Sequence, residues 1–209
     1  MNDSSSRDAI LVAATDLFAR QGVEATSIKA IGAAAGVNPA LIYYYFADKA
    51  TLYDAVLDRM VRALPGRLAD ALEKVESPSE GLALVVRLQA EAFLAEPLLP
   101  RLLARELADH EASHATPLLR EHAARLIGAM TRLITAGQAS GEIRSDLDPT
   151  MLAISILSQV NWFCIAAPAI QTILSRPGVS HAPEAVRAFA DHVVAFSSNG
   201  FMPTRGGDK

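Results

Sequence analysis

Apolar residues recur at intervals of three and four along most of the chain, and no stretch alternates apolar and polar positions between turn signals. That periodicity predicts helices and no strands, so the fold class is all-α. A first helix spans about residues 6–21, with Ile10, Ala14, Leu17 and Phe18 on one side and Gly22 as its stop. A fourth begins near Asp48 and carries Leu52, Val56, Leu57 and Met60, until Pro65-Gly66 breaks or kinks it. The pattern continues over residues 67–76 and breaks at Ser77-Pro78-Ser79. It resumes in helices near 80–95, 97–110, 117–139, 149–174 and 183–199. Proline near several starts and glycine after several ends fit the asymmetry of helix termini. Residues 1–6 read as frayed and residues 201–209 as a disordered tail.

Between the first and fourth helices lies TSIKAIGAAAGVNPALIYYYFADK, residues 26–49. Ser27 is a good N-cap, because its hydroxyl accepts from a first-turn N–H that has no helical partner. Ile28, Ile31, Ala34 and Ala35 give the second helix an apolar face. Gly36 suits the left-handed conformation that ends a helix, and Val37 offers an apolar pin for the turn. Asn38 is a second N-cap with Pro39 at the first helical position. Leu41, Ile42, Tyr43 and Phe46 continue the pattern, and Asp48 caps the next helix. Helix, glycine turn and capped helix form the layout of a helix-turn-helix, whose second helix lies in the DNA major groove.

These residues resemble the DNA-binding signature of the TetR family of bacterial transcriptional regulators. The match runs through Thr26-Ser27-Ile28, Ile31, Ala34-Ala35-Gly36-Val37, Leu41-Ile42-Tyr43, Phe46, Lys49 and Leu52, and covers about the first quarter of the chain. Gly32 departs from the alanine often found there, and softens its helix by up to about 1 kcal/mol. Tyr43-Tyr44-Tyr45 in succession is a second departure. The resemblance implies a three-helix DNA-binding domain over residues 1–52, joined through the fourth helix to a helical ligand-binding and dimerisation domain over 53–200. The boundary is placed near Tyr53.

Ser27, Lys29, Asn38, Pro39, Ala40, Tyr43, Tyr44, Tyr45 and Lys49 are the candidate DNA contacts. Lys29 and Lys49 have no apolar role and stand where a helix N-terminus meets phosphate. Tyr44 offers a hydroxyl to phosphate and a ring to a thymine methyl. Of the three tyrosines, Tyr43 is the one expected to be partly core.

Composition refines this picture. The chain has 209 residues, 51% hydrophobic, with a mean hydropathy of +0.22, which is too apolar for a disordered chain. Net charge is −4, so overall charge does not point to nucleic acid. Nor is the motif region basic: residues 1–50 hold Arg7, Arg20, Lys29 and Lys49 against Asp3, Asp8, Asp16, Glu24 and Asp48. DNA binding must then rest on a few placed cations and backbone donors. A single cysteine, Cys164, permits no internal disulfide, and with no signal-peptide pattern the expected compartment is the cytoplasm.

Residues 149–175 hold no charge. A membrane could be spanned by that length, yet Ser155, Ser158, Gln159, Asn161, Pro168 and Gln171 interrupt it and flanking anchors are missing. The favoured reading is a helix buried on nearly all sides, one face in its own domain and the other on a second copy. The resemblance implies such a four-helix homodimer interface from the last two helices; Ile154, Leu157, Ile165, Val186, Phe189, Val193 and Val194 are its candidates. An unidentified small molecule is expected within the C-terminal helices, where Phe93, Leu102, Arg105, Glu106, Met130, Ile134, Gln159, Trp162 and Phe163 are candidate lining residues.

His110-Glu111-Ala112-Ser113-His114 spells HExxH, the zinc-protease string, with Glu106, Glu121 and His122 as conceivable third ligands. It sits in a polar stretch near Thr116-Pro117, where a helix should end. A zinc-dependent hydrolase is therefore the alternative reading, and a membrane-associated helical protein or a helical ligand-binding dimer without DNA affinity are further rivals. The favoured expectation is a homodimeric regulator, not an enzyme, with no cofactor and no metal. It binds a palindromic operator and is released by a small-molecule inducer. The sequence does not reveal the effector, the operator or the sense of regulation.

Overall fold

The computed structural model describes residues 3–63, 65–72, 74–110, 117–175 and 179–202. Its described helices are α1 (Asp3–Gln21), α2 (Ile28–Ala35), α3 (Pro39–Tyr45), α4 (Lys49–Ala63), α5 (Pro65–Leu72), α6 (Pro78–Ala95), α7 (Leu99–His110), α8 (Pro117–Ser140), α9 (Pro149–Leu174) and α10 (Pro183–Phe201). No strand occurs among the described residues. The chain divides into two compact units, one of residues 1–62 with 98–120, the other of 63–97 with 121–209.

In the first unit, Ile10, Ala14 and Phe18 of α1 meet Ile31, Ile42, Leu52, Val56 and Leu57 in a sealed core. Tyr53 belongs to it too: it is 2% exposed, and its ring stands edge-on to Phe18 with centroids 5.3 Å apart. Its hydroxyl donates to Glu106 Oε2 of α7 at 2.8 Å, and Glu106 is itself 1% exposed. The boundary expected near Tyr53 therefore falls inside a compact unit. A buried hydrogen bond and an aromatic contact tie α4 to helices on both sides of it in sequence. α7 groups with the first compact unit.

In the second unit, α6 lies against α5, α9 and α10. Leu82, Val85, Val86, Ala90 and Phe93 face Ala153, Ile156, Val160 and Ala167 of α9 and Val186, Ala190 and Val193 of α10 across a buried core. The start of α6 is capped from a distance. Ser77 Oγ donates to Glu142 Oε1 at 2.8 Å, Ser79 N donates to the same oxygen at 3.1 Å, and Ser79 Oγ does so as well. Bonds from Ser79 foremost hold the Glu142 carboxyl below its ordinary range. α10 runs through Phe201, which is 2% exposed and whose carbonyl accepts from Arg144 N at 2.8 Å. Phe201 was expected in the tail; its burial and backbone pairing place it in the fold instead. Residues 203–209 lie outside the described residues.

Candidate nucleic-acid interface

The helix pair α2–α3 is built by its caps. Ser27 Oγ accepts from Ala30 N at 3.1 Å, and Gly36 ends α2 at φ 68°, ψ 29°. Gly36 N donates to Ala33 O at 3.3 Å and Val37 N to Gly32 O at 2.9 Å, the double bond set that closes a helix on a left-handed residue. Asn38 Oδ1 accepts from Ala40 N at 2.9 Å, with Pro39 at the start of α3. Gly32 also has a steric role. A Cβ there would lie 3.0 Å from Val37 O and 3.3 Å from Pro39 Cγ, so its helix softening is offset by close approach of the turn. Ile31, Ile42 and Phe46 are buried beneath the pair. Ala34, read as part of the apolar face, is exposed.

What remains outside is the upper side of α3. Tyr43 is 56% and Tyr44 75% exposed, while Ile42 between the same turns is sealed. Tyr43 was expected to be the partly buried tyrosine. The helical phase instead turns Tyr45 inward, its ring 6.4 Å from that of Phe46. Ser27, Lys29, Asn38 and Ala40 are exposed and Pro39 is half-buried. Arg7 adds a cation over the Phe46 ring, 5.2 Å from its centroid. Lys49 is placed differently from the expectation of a phosphate-facing side chain. Its Nζ donates to Val23 O at 2.8 Å and to Glu24 O at 3.4 Å, bracing the turn between α1 and α2. The start of α4 is capped by Asp48, whose carboxyl is lowered mainly by the bond from Thr51 N at 2.7 Å.

The expected effector residues scatter. Leu102, Arg105 and Glu106 belong to the first unit, where Arg105 Nε donates to Ala19 O at 3.1 Å and Nη2 to Arg20 O at 3.0 Å. They serve as core and helix cap because α7 packs on α1. Trp162 is 66% exposed on α9, so it lines no interior. Phe93, Met130, Ile134 and Phe163 are buried in the second unit, and Gln159 Nε2 donates to Ser197 Oγ at 3.2 Å. Sequence reasoning passed over Gln89. It is 5% exposed, gives its Nε2 to Leu157 O at 3.0 Å, and leaves Oε1 buried without a partner; Asn161 Oδ1 is in the same state. A small cavity along α6 is lined by Leu82, Val86, Ile156, Val194 and Phe201 together with Ser197 and Ser198.

The interface candidates divide by face. Val186 (2% exposed) and Val193 (0%) are locked in the protomer's own core, so neither is free to meet a partner. Ile154 is exposed, Leu157 and Ile165 are half-buried, Val194 borders the cavity, and Phe189 stacks on Phe163 at 4.1 Å. The exposed large apolar side chains of these helices are instead Met151, Ile154, Trp162, Ile173 and Leu174 of α9 and Phe196 of α10, its ring 6.1 Å from His192. By length and composition α9 could cross a membrane; its inner side is core. Cys164 is buried there, which pushes its thiol up to about 11 and makes it a poor nucleophile. Residues 111–116, including Glu111 and His114, lie outside the described residues. No group of three potential metal ligands occurs among the described ones.

Comparison with known proteins matches residues 10–56 to the model for bacterial regulatory proteins of the TetR family, and residues 78–196 to the tetracyclin repressor-like C-terminal domain. The HTH-type transcriptional repressor NicS of Pseudomonas putida is 30% identical over 155 residues, covering 73% of each chain. The HTH-type transcriptional regulator RutR of Escherichia coli is 28% identical over 174 residues, 81% of this chain and 79% of that one. Among solved structures, the regulator FadR from Bacillus subtilis, in complex with stearoyl-CoA, superposes with a TM-score of 0.71 at 19% identity, covering 92% of this chain and 98% of that one. The two matched segments together take in both the capped helix pair and the second helical unit, and the chain belongs to the TetR family of helix-turn-helix transcriptional regulators.

Proposed function

We propose that the protein is a cytoplasmic repressor that binds a palindromic operator as a homodimer and leaves it when a small effector occupies the second unit. The observation that carries this reading is the bare outer side of α3: two tyrosines exposed on a helix whose opposite residue, Ile42, is sealed in the core. A helix presented this way by a glycine turn reads base edges and phosphates in the major groove. Homodimerisation supplies the second recognition helix about one helical turn of DNA away. The apolar side of Ile154, Trp162 and Phe196 is the surface suited to that pairing, since a single chain gains nothing by exposing it. The orphaned oxygens of Gln89 and Asn161 support an effector that brings hydrogen-bond donors into the second unit. The repressor sense follows NicS, whose name describes it so.

Selection of bound fragments from the source genome, followed by footprinting, tests the proposal. A protected two-fold symmetric site that is lost with Tyr44→Ala is the expected result. Failure to enrich any fragment, with the protein folded, overturns it. The zinc-hydrolase alternative predicts about one tightly held zinc per chain, and metal analysis of the purified protein decides it.

A further inference from the structure

The capped helix pair is short of cations, since residues 1–50 carry five acids against four bases. The fold corrects this from elsewhere in the chain. α7 lays Arg101, Ala104, Arg105 and Ala108 along one side, and with Arg20 of α1 they line an open groove of about 440 Å³. The two alanines keep its floor low between the arginines. Arg105 is fixed by its bonds to the last carbonyls of α1. Arg20 reaches Asp16 at 2.8 Å in a solvent-exposed pair, which is weak and exchangeable. Arg101 is exposed and has no protein partner among the described residues.

The groove borders the turn that opens the DNA-reading pair. From Arg20 the chain passes Gly22 and reaches Thr26, whose hydroxyl donates to Gly22 O at 2.6 Å, and Ser27 then caps α2. Lys49, at the first turn of α4, holds the carbonyls of Val23 and Glu24 in the same turn. So the starts of α2 and α4, both favourable to anions, and the arginines of α7 flank one short segment. A site this open does not enclose a small molecule; it accepts a backbone lying across it.

The geometry points to a phosphodiester-binding groove, in which Arg101, with Arg20 beside it, contacts the DNA backbone outside the segment read by α3. α7 thereby joins the DNA interface, although it lies some fifty residues beyond the helix-turn-helix in sequence. This inference rests on the reading of the first unit as DNA-binding, and the test separates the two. Full-length wild type, Arg101→Ala, Arg101→Glu, Arg101→Lys and Tyr44→Ala are titrated by fluorescence anisotropy against a duplex of about 30 bp, random in sequence, over several salt concentrations. Random sequence isolates the phosphate contribution. Arg101→Ala is expected to lower the salt slope by about 0.9 per protomer and to weaken binding on the order of tenfold per contact at about 50 mM salt. Arg101→Glu weakens it further, and Arg101→Lys restores most of it. Curves for Arg101→Ala and Arg101→Glu that overlay wild type, while Tyr44→Ala binds less tightly, overturn the groove and leave the DNA reading intact. Salt-insensitive or absent wild-type binding overturns both. A parallel thermal-shift titration uses inorganic pyrophosphate. Stabilisation of wild type but not of Arg101→Glu, with unchanged DNA curves, makes the groove a small-phosphate site and likewise overturns the inference.

Discussion

Removing one hydroxyl, in Tyr53→Phe, tests how α7 is held in the first unit. The variant keeps the ring, and with it the edge-on contact to Phe18 at 5.3 Å and 88°. What it deletes is the 2.8 Å donation to Glu106 Oε2, between residues 2% and 1% exposed. The net worth of such a bond is about 0.5–1.5 kcal/mol, and a buried carboxyl left one donor short adds up to about 3 kcal/mol. The expected loss is about 2 kcal/mol, or roughly 4–8 °C in melting temperature for a chain of this size. Hydrogen exchange reads it locally: amides of α7 and the first half of α4 should lose protection, while those of α9 and α10 keep theirs. A double-mutant cycle with Glu106→Met isolates the pair, with an expected coupling of about 1–2 kcal/mol. Additive single effects, or a Tyr53→Phe loss under about 0.5 kcal/mol with unchanged α7 protection, would refute the claim that this bond anchors α7.

Four further outcomes are expected. Lys49→Ala should destabilise the DNA-free protein by about 1 kcal/mol in a thermal melt, because it frees the Val23 and Glu24 carbonyls; a lysine facing only phosphate would leave the melt unchanged. Gly36→Ala should cost about 1–2 kcal/mol through its φ of 68° alone, since open space surrounds the position, and Gly36→Asn should cost less by chemical denaturation. Trp162→Glu and Phe196→Asp should yield a folded monomer by sedimentation and circular dichroism, whereas Val193→Asp should fail to fold, because that side chain is fully buried. For Glu142, a folded pKa below the ordinary 4.5 means stabilisation that is present above that value and lost as pH falls through the lowered one. The wild-type advantage over Glu142→Gln should therefore be flat at neutral pH and vanish in acid, which melts between pH 7 and 3 would show.

The legible parts of this fold were those with short-range causes. Ser27, Gly36, Asn38 and Pro39 act on backbone groups two to five residues away, so their types and spacing state the turn outright. The exposure of Tyr44 follows from helical phase, whereas Tyr43, expected as the partly buried ring, is 56% exposed and Tyr45 turns inward in its place. Arg105 and Glu106 were illegible for the opposite reason. Their partners, Ala19, Arg20 and Tyr53, lie more than fifty residues away, and a polar pair on an amphipathic helix looks the same whether it lines a pocket, caps a neighbour or meets solvent.

The same limit governs α9 and α10, and there it bears on function. A helix that is apolar all round announces burial on two sides without saying which side is which. Val193 and Phe196 sit three residues apart and would serve equally well as a dimer contact by type. Burial separates them, at 0% and 65% exposure, because α6 and α9 of the same protomer take the valine side first. A side chain already surrounded by its own chain adds little on association, whereas Phe196 and Trp162 still have most of their apolar area to remove from water. In the proposed homodimer, association energy therefore belongs to the face that folding leaves uncovered, and substitutions there are expected to change assembly without changing the single chain.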